Sequence, residues 1–196
     1  MSRHVILVTG TPCVGKTTVA RLLASRLDAL YVNLTDLAVH DNLVSGKDEE
    51  RESIIVDENR MRRKIRETIE GCEQDDIVID GHYAVSVVPK KFVTYVFVLR
   101  RDPVELQKFM EQHGFSGRKL WENLASEILD VCLVDAINAH GEGGKVCELD
   151  VTGKSVEEVV SGILAVLSGR RECHVGIVDW LSKLESDGLL KEFLKI

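Results

Sequence analysis

Residues 10–17 read Gly10-Thr11-Pro12-Cys13-Val14-Gly15-Lys16-Thr17, and they directly follow the apolar run of residues 5–8. Two glycines and a Lys-Thr pair at this spacing, between a strand and a helix, are typical of a phosphate-binding loop. Glycine permits the tight backbone that turns successive N–H groups inward around an anion. The sequence therefore predicts a nucleoside triphosphate site at this turn.

Two side chains at the end of this loop have predicted roles. Lys16 is expected to reach the outer phosphates as a point charge, and the hydroxyl of Thr17 to bind the Mg²⁺ that accompanies the nucleotide. The helix predicted from residue 16 onward directs its positive end toward the same anion. Lys16 is therefore a candidate catalytic residue, and Thr17 is a candidate metal ligand.

Short apolar runs alternate with amphipathic stretches along the chain, which indicates a parallel sheet covered by helices on both faces. The predicted strands are residues 5–9, 30–33, 77–80, 93–99 and 145–149. The predicted helices are residues 16–27, 35–43, 58–70, 103–113, 119–139 and 156–167. The sequence thus predicts one layered α/β domain over about residues 1–170.

Two polar insertions interrupt this alternation, at residues 45–54 and 113–119. Their position near the predicted phosphate end of the sheet favours mobile flaps over a site, whereas their composition also fits ordinary solvated loops. Both interpretations stay open at this point.

The last part of the chain has a helical pattern of its own. Apolar residues recur at the spacing of one helix face, at Ile177, Trp180, Leu181 and Leu184. We expect residues 171–196 to form a helical extension that packs on the outer helices of the sheet, in preference to a helix that docks a partner.

Composition limits the classes of function. The 25 basic and 32 acidic residues give a net charge of −7, so no overall positive field attracts nucleic acid or an anionic membrane. The five cysteines contain no C-x-x-C pair and are expected to be reduced and buried. Because no signal peptide or membrane-spanning run is visible, we expect a soluble, cytoplasmic protein.

A second candidate group follows the apolar strand of residues 77–79. Asp80 ends this strand, and a carboxylate there is expected to hold Mg²⁺ directly or through water. His82 lies two residues later, on the same side of an extended segment. It is expected to contact phosphate, orient water or move a proton, although a purely structural histidine is an equal alternative.

Taken with these residues, further motifs make the sequence resemble the adenylate kinase family of archaea and eukaryotic nuclei. They are Thr9-Gly10-Thr11-Pro12, residues 31–38, Asp57-Glu58-Asn59-Arg60, Asp80-Gly81-His82, Val98-Leu99-Arg100, and Glu122-Asn123 with Glu127-Ile128. The resemblance covers about residues 5–154. It implies a three-layer P-loop NTPase fold with a five-stranded parallel sheet, a monophosphate-binding flap at about residues 33–56 and a short lid at about residues 112–122.

The resemblance also implies an activity and a set of site residues. Members transfer phosphate from ATP to AMP with Mg²⁺, giving two ADP, and act as ATPases in assembly of the small ribosomal subunit. The matching ATP-binding positions are Gly10, Cys13, Val14, Gly15, Lys16, Thr17, Thr18 and Lys154. Asp80 and His82 match the pair implicated in hydrolysis and magnesium handling. The acceptor flap corresponds to Asn33, Asp36 and Arg60, and the lid to His113, Arg118 and Lys119.

The sequence departs from the family pattern at three positions. Cys13 replaces a glycine of the loop, and its side chain crowds the anion site. Val39 replaces an arginine for the acceptor phosphate, which predicts looser AMP binding. His113 replaces the arginine that begins the lid, so charge in the transition state would be met by other basic residues, if at all. The candidates are Arg100, Arg101, Arg118 and Lys119.

Two other functions stay open on this sequence. The chain could be an interaction protein whose ATP site acts as a switch for docking a small-subunit ribosomal protein. It could also be a kinase for another nucleoside monophosphate, since nothing in residues 33–60 fixes the acceptor base.

Overall fold

A computed structural model describes residues 4–48, 53–141 and 145–194. The strands are β1 (His4–Thr9), β2 (Leu30–Asn33), β3 (Val44–Asp48), β4 (Ser53–Val56), β5 (Asp76–Asp80), β6 (Val93–Arg100) and β7 (Val146–Asp150). Five of them form one parallel sheet in the order β2-β5-β1-β6-β7. Apart from the partly buried Leu30, their Val, Ile and Leu side chains are buried on both faces, as parallel strands require.

Helices cover both faces of this sheet. They are α1 (Lys16–Leu27), α2 (Leu34–His40), α3 (Glu58–Gly71), α4 (Ala84–Val87), α5 (Pro103–Gln112), α6 (Gly117–Ile128), α7 (Val131–His140), α8 (Val156–Leu167), α9 (Trp180–Ser186) and α10 (Leu190–Phe193). One core cluster joins the sheet to α1, α5, α6 and α8, and a second joins it to α3, α4 and α7. The predicted three-layer α/β fold with five parallel strands is therefore confirmed.

The single helix predicted over residues 119–139 is wrong, because the chain forms α6 and α7 with a break at Leu129 and Asp130. Asp130 has a left-handed backbone with φ of 57°. Its carboxylate accepts a hydrogen bond from Arg100 Nη2 at 2.5 Å. A tertiary ion pair thus interrupts a stretch whose hydrophobic periodicity alone indicates one continuous helix.

The two insertions have different structures. In the first, β3 and β4 pair as an antiparallel hairpin between α2 and α3, and residues 49–52 lie outside the described part of the chain. β-branched residues on both strands suit this pairing. The second insertion is a short turn that leads into the beginning of α6. The predicted flap and lid segments therefore contain regular structure.

The C-terminal segment packs against the helices on one face of the sheet. Trp180, Leu184 and Phe193 are buried there. Cys147 of β7 and Cys173 are joined as a disulfide, so the expectation of reduced cysteines is wrong for this pair. The two cysteines meet because this segment runs beside β7, where Glu148 N donates to His174 O at 2.8 Å.

Across the described helices, none combines the length and apolar character needed to span a bilayer.

The loop after β1 passes very close to β6. Gly10 has φ of 138°, and a Cβ atom added there would lie 2.5 Å from the carbonyl oxygen of Leu99. A side chain at this position would therefore push the loop away from the sheet. Only glycine satisfies both the backbone angle and the close approach.

We predict that Gly10→Ala lowers the free energy of unfolding by about 2 kcal/mol or more, because it combines a clash with a strained backbone. Urea denaturation of the purified variant measures this loss. Gly71→Ala is the matched control, because an added Cβ there meets nothing within 4 Å. Equal stability of Gly10→Ala and the unmodified chain would contradict the predicted clash.

Candidate nucleotide-binding site

The loop of residues 10–15 lies at the carboxyl ends of the parallel strands, between β1 and α1. β1 is the central strand at which the sheet order changes direction, and ligands of open α/β sheets bind at such a point. A cleft of about 430 Å³ opens there. Its lining residues are Cys13, Val14, Gly15, Lys16, Thr17, Thr18, Val19, Arg101, Phe109, His113, Val151, Lys154, Val156 and Val159.

Most of the expected ATP-side residues meet in this cleft. They are Cys13, Val14, Gly15, Lys16, Thr17, Thr18 and Lys154, and Gly10 lies at the start of the same loop. Gly15 caps α1 with φ of 105°, and it has no side chain to occupy the N–H groups of the first helical turn. These N–H groups and the positive end of the helix suit an anion.

Lys16 lies against the loop that it belongs to. Its Nζ donates to the carbonyl oxygen of Thr11 at 2.9 Å. Burial lowers the pKa of Lys16, and the charge of Asp80 opposes that shift. The ammonium is therefore held in partly desolvated surroundings, where attraction to a phosphate is stronger than in bulk water.

Asp80 is buried at the end of β5 and collects three donors on one oxygen. Its Oδ2 accepts from Thr17 Oγ1 at 2.8 Å, from Tyr31 OH at 3.0 Å and from Asn33 Nδ2 at 2.8 Å. Parallel pairing of β2 with β5 sets Asn33 opposite Asp80. A hydroxyl and a carboxylate in direct contact are the oxygen ligands that Mg²⁺ takes from proteins.

The three residues expected on the acceptor side occupy different places. The Asn33 amide binds Asp80, and its Oδ1 caps α2 by accepting from Asp36 N at 2.9 Å. Arg60 lies in the first turn of α3 and donates from Nη1 to the carbonyl oxygen of Asn42 at 3.0 Å. Asn33 therefore belongs to the Asp80 cluster, while Arg60 supports the turn after α2.

His82 follows the Asp80 cluster and lies near Lys16. His82 is an exposed residue, and its ring meets Tyr83 edge-on at 4.9 Å between centroids. Desolvation and the positive charge of Lys16 lower the pKa of His82 to about 4, against the opposing effect of Asp80. The imidazole is therefore neutral at pH 7, with a nitrogen lone pair that can accept a proton or orient water.

The basic residues near the lid separate into two groups. Arg101 lines the cleft, where its Nη2 donates to Val14 O at 3.3 Å and its guanidinium covers the Phe109 ring at 4.8 Å. His113 also lines the cleft. Arg118 instead pairs with Glu122, and Lys119 lies over the Phe115 ring.

Arg100 is buried beneath the phosphate loop and is 1% exposed. It pairs with Glu127, Asp130 and Glu148. Of the four basic residues suggested for the transition state, Arg101 is the one that lines the cleft among the described residues.

Sequence reasoning missed two features of the site. One is the apolar wall of Phe109, Val151, Val156 and Val159. Phe109 could have been found from its position one helical turn before His113, which caps the end of α5 on the same side. The other is Tyr31, which lies in the motif of residues 31–38 but had no predicted role, because its contact with Asp80 depends on strand order.

Comparisons with known proteins agree with this fold. A family model described as an AAA domain matches residues 6–130. The chain is 37% identical over 181 residues to a protein of Pyrococcus furiosus, covering 92% of this chain and 93% of that protein. It is 34% identical over 178 residues to a protein of Methanocaldococcus jannaschii, covering 91% of this chain and 93% of that protein. Both relatives carry the provisional name adenylate kinase.

Solved structures share the architecture at much lower identity. Shikimate kinase from Acinetobacter baumannii has a TM-score of 0.62 at 13% identity, over 87% of this chain and 96% of that chain. A gluconokinase from Sinorhizobium meliloti has a TM-score of 0.56 at 15% identity, over 86% of this chain and 94% of that chain. These two likenesses support the P-loop α/β fold alone.

We predict that the His82 ring does not take up a proton between pH 7.5 and about pH 5, because its folded-state pKa is lowered to about 4. NMR of the ring resonances across this pH range measures the protonation of His82. In urea, the pKa of the same ring should be about 6.5. The unfolded chain therefore binds a proton at His82 below that pH while the folded chain does not, so this residue's contribution to stability falls as the pH drops from about 6.5 toward 4. A folded-state midpoint near 6.5 would contradict the prediction.

Proposed function

The chain belongs to the archaeal adenylate kinase-type family of P-loop proteins, and we propose that it is a nucleoside monophosphate kinase. The reaction is transfer of the terminal phosphoryl group of ATP to AMP, giving two ADP, and it depends on Mg²⁺. Water acts as a slower alternative acceptor, which gives an ATPase activity. The observation that carries this proposal is the contact between Thr17 of the phosphate loop and Asp80 at the end of β5.

In the proposed mechanism, positioning and charge neutralisation drive the transfer. The backbone of the loop and the Lys16 ammonium hold the outer phosphates, and Thr17 and Asp80 would hold the metal ion. When bound, Mg²⁺ neutralises phosphate charge. Arg101 lies beside Val14 of the loop, within the cleft, where Glu105 pairs with it, and its guanidinium would add positive charge near the phosphates.

The apolar wall of the cleft suits the base of ATP. Phe109, Val151 and Val156 offer flat or branched apolar surface next to the phosphate loop. Lys154 lies at the same end of the cleft, where its Nζ donates to the carbonyl oxygen of Asp150. Asp36, Arg60 and the β3–β4 hairpin lie on the other side of Asp80, and we assign the acceptor nucleotide to that side.

We predict that Lys16→Ala lowers turnover at least about 100-fold with every phosphate acceptor, because a charge at the phosphates is lost. ADP formation from ATP is measured with each nucleoside monophosphate and with none. AMP is expected to be the best acceptor. Unchanged activity in this variant would refute the assignment of the site.

Lys91→Ala is the matched control for this experiment. Lys91 lies at the opposite end of the sheet, in the turn before β6, where its ammonium covers the Phe92 ring. This variant removes a lysine without changing the cleft, and we expect its turnover to equal that of the unmodified chain.

We predict that His82→Ala slows ATP hydrolysis about 100-fold but transfer to AMP no more than about tenfold, because free water needs a group to orient it and a bound phosphate does not. Initial rates of both reactions on one preparation measure the ratio. His4→Ala, on the exposed start of β1, is the control histidine variant. Equal losses of both rates would contradict a role for His82 in orienting water.

A second candidate function is that of an ATP-switched factor in maturation of the small ribosomal subunit. The exposed Val39 of α2 favours it, because that position offers no charge to an acceptor phosphate. The panel of acceptors separates the two functions. A kinase forms ADP faster when AMP is added, whereas a switch hydrolyses ATP at a rate that no monophosphate raises.

A further inference from the structure

A buried carboxylate joins the phosphate loop to the C-terminal segment. Glu127 of α6 is 2% exposed. Its Oε2 accepts from the Thr11 hydroxyl at 2.5 Å, and its Oε1 accepts from Trp180 Nε1 of α9 at 3.1 Å. Arg100 Nε and the backbone N–H of Arg101 also donate to Oε1, at 2.9 and 3.1 Å. Both oxygens of Glu127 are therefore engaged, one by the loop and one by three other donors.

Thr11 connects Glu127 to Lys16, the candidate catalytic lysine. Its hydroxyl donates to Glu127, while its backbone carbonyl accepts from Lys16 Nζ at 2.9 Å. The position of Glu127 thus fixes the residue against which the Lys16 ammonium lies. Buried polar groups are costly to leave unpaired, so removal of one donor shifts the others.

The C-terminal segment also touches a second part of the same network. Arg100 Nη1 donates to Glu148 Oε1 at 2.6 Å, and Glu148 Oε2 accepts from the backbone N–H of Ile177 at 2.8 Å. Burial would lower the pKa of Arg100, but Glu127 and Asp130 outweigh it and raise that pKa. The guanidinium therefore stays charged. The C-terminal segment donates to the two glutamates that pair with it, from the backbone N–H of Ile177 to Glu148 and from the indole N–H of Trp180 to Glu127.

We propose that Glu127 is a positioning residue for the phosphate loop and that Trp180 holds Glu127 in place, so that ATP binding depends on the C-terminal segment. This inference rests on the proposed nucleotide site and extends it to α9, which lies outside the cleft. The path of contacts runs from Trp180 through Glu127 and Thr11 to Lys16.

The test compares two changes in the same helix. Trp180→Phe removes the indole N–H and keeps an aromatic ring, whereas Leu184→Val disturbs packing of α9 one turn later without touching Glu127. We expect Trp180→Phe to weaken MgATP binding by roughly three- to tenfold, the size of coupling through one shared hydrogen-bonded group. Leu184→Val should leave the Kd unchanged. Calorimetric titration with MgATP, well below the melting temperature of each variant, measures both.

Variants of Thr11 test the other end of the path. Thr11→Val removes the hydroxyl, and Thr11→Ser retains it, so the serine variant should keep most of the MgATP affinity that the valine variant loses. The loss in Thr11→Val combined with Trp180→Phe should be smaller than the sum of the two single losses in free energy, because both break one path. The KM for AMP should stay the same, because AMP is assigned to the other side of Asp80.

Two results would overturn the inference. One is an unchanged Kd for MgATP in a folded Trp180→Phe protein, and the other is additive losses in the double variant. Failure of the proposed function has a different signature, since the unmodified chain would then bind no MgATP, or would bind it but form ADP no faster when AMP is added.

Discussion

Arg100 places a guanidinium beneath the phosphate loop, where it is 1% exposed. A buried charge is stable only when acceptors surround it, and here they come from α6, β7 and the turn between α6 and α7. That requirement explains why the helical stretch breaks at Asp130. It also explains why Glu127 and Glu148 face inward, where they meet the phosphate loop on one side and the C-terminal segment on the other.

The chemistry of the site divides between this ionic network and the Asp80 cluster. Asp80 takes its donors from α1 and β2, which brings an oxygen pair suited to Mg²⁺ beside the loop. Glu127 takes its donors from the loop, β6 and α9. Lys16 is attracted by the charge of Asp80, and its Nζ donates to the Thr11 carbonyl. The two carboxylates therefore act on the same ammonium, Asp80 through its charge and Glu127 through its hydrogen bond from Thr11.

Predictions from the sequence succeeded where a local pattern carries the information. The spacing of Gly15 and Lys16 after an apolar run predicted the loop, and the apolar strands predicted the parallel sheet. They failed where a distant residue decides the outcome. Asp130 breaks a helix because Arg100 lies beneath it, and Cys147 meets Cys173 because the last segment runs beside β7. Such contacts leave no periodic signal in the chain.

The sequence by itself determined the phosphate loop, the layered α/β architecture and the residues at the ends of β1 and β5, because side-chain periodicity and glycine positions are local properties. The tertiary structure alone decided that Asn33 binds Asp80, that Arg100 is buried while Arg101 lines the cleft, and that Trp180 reaches Glu127. These outcomes depend on strand order and on the pairing of buried charges. Both are set by burial of the whole chain rather than by any one segment.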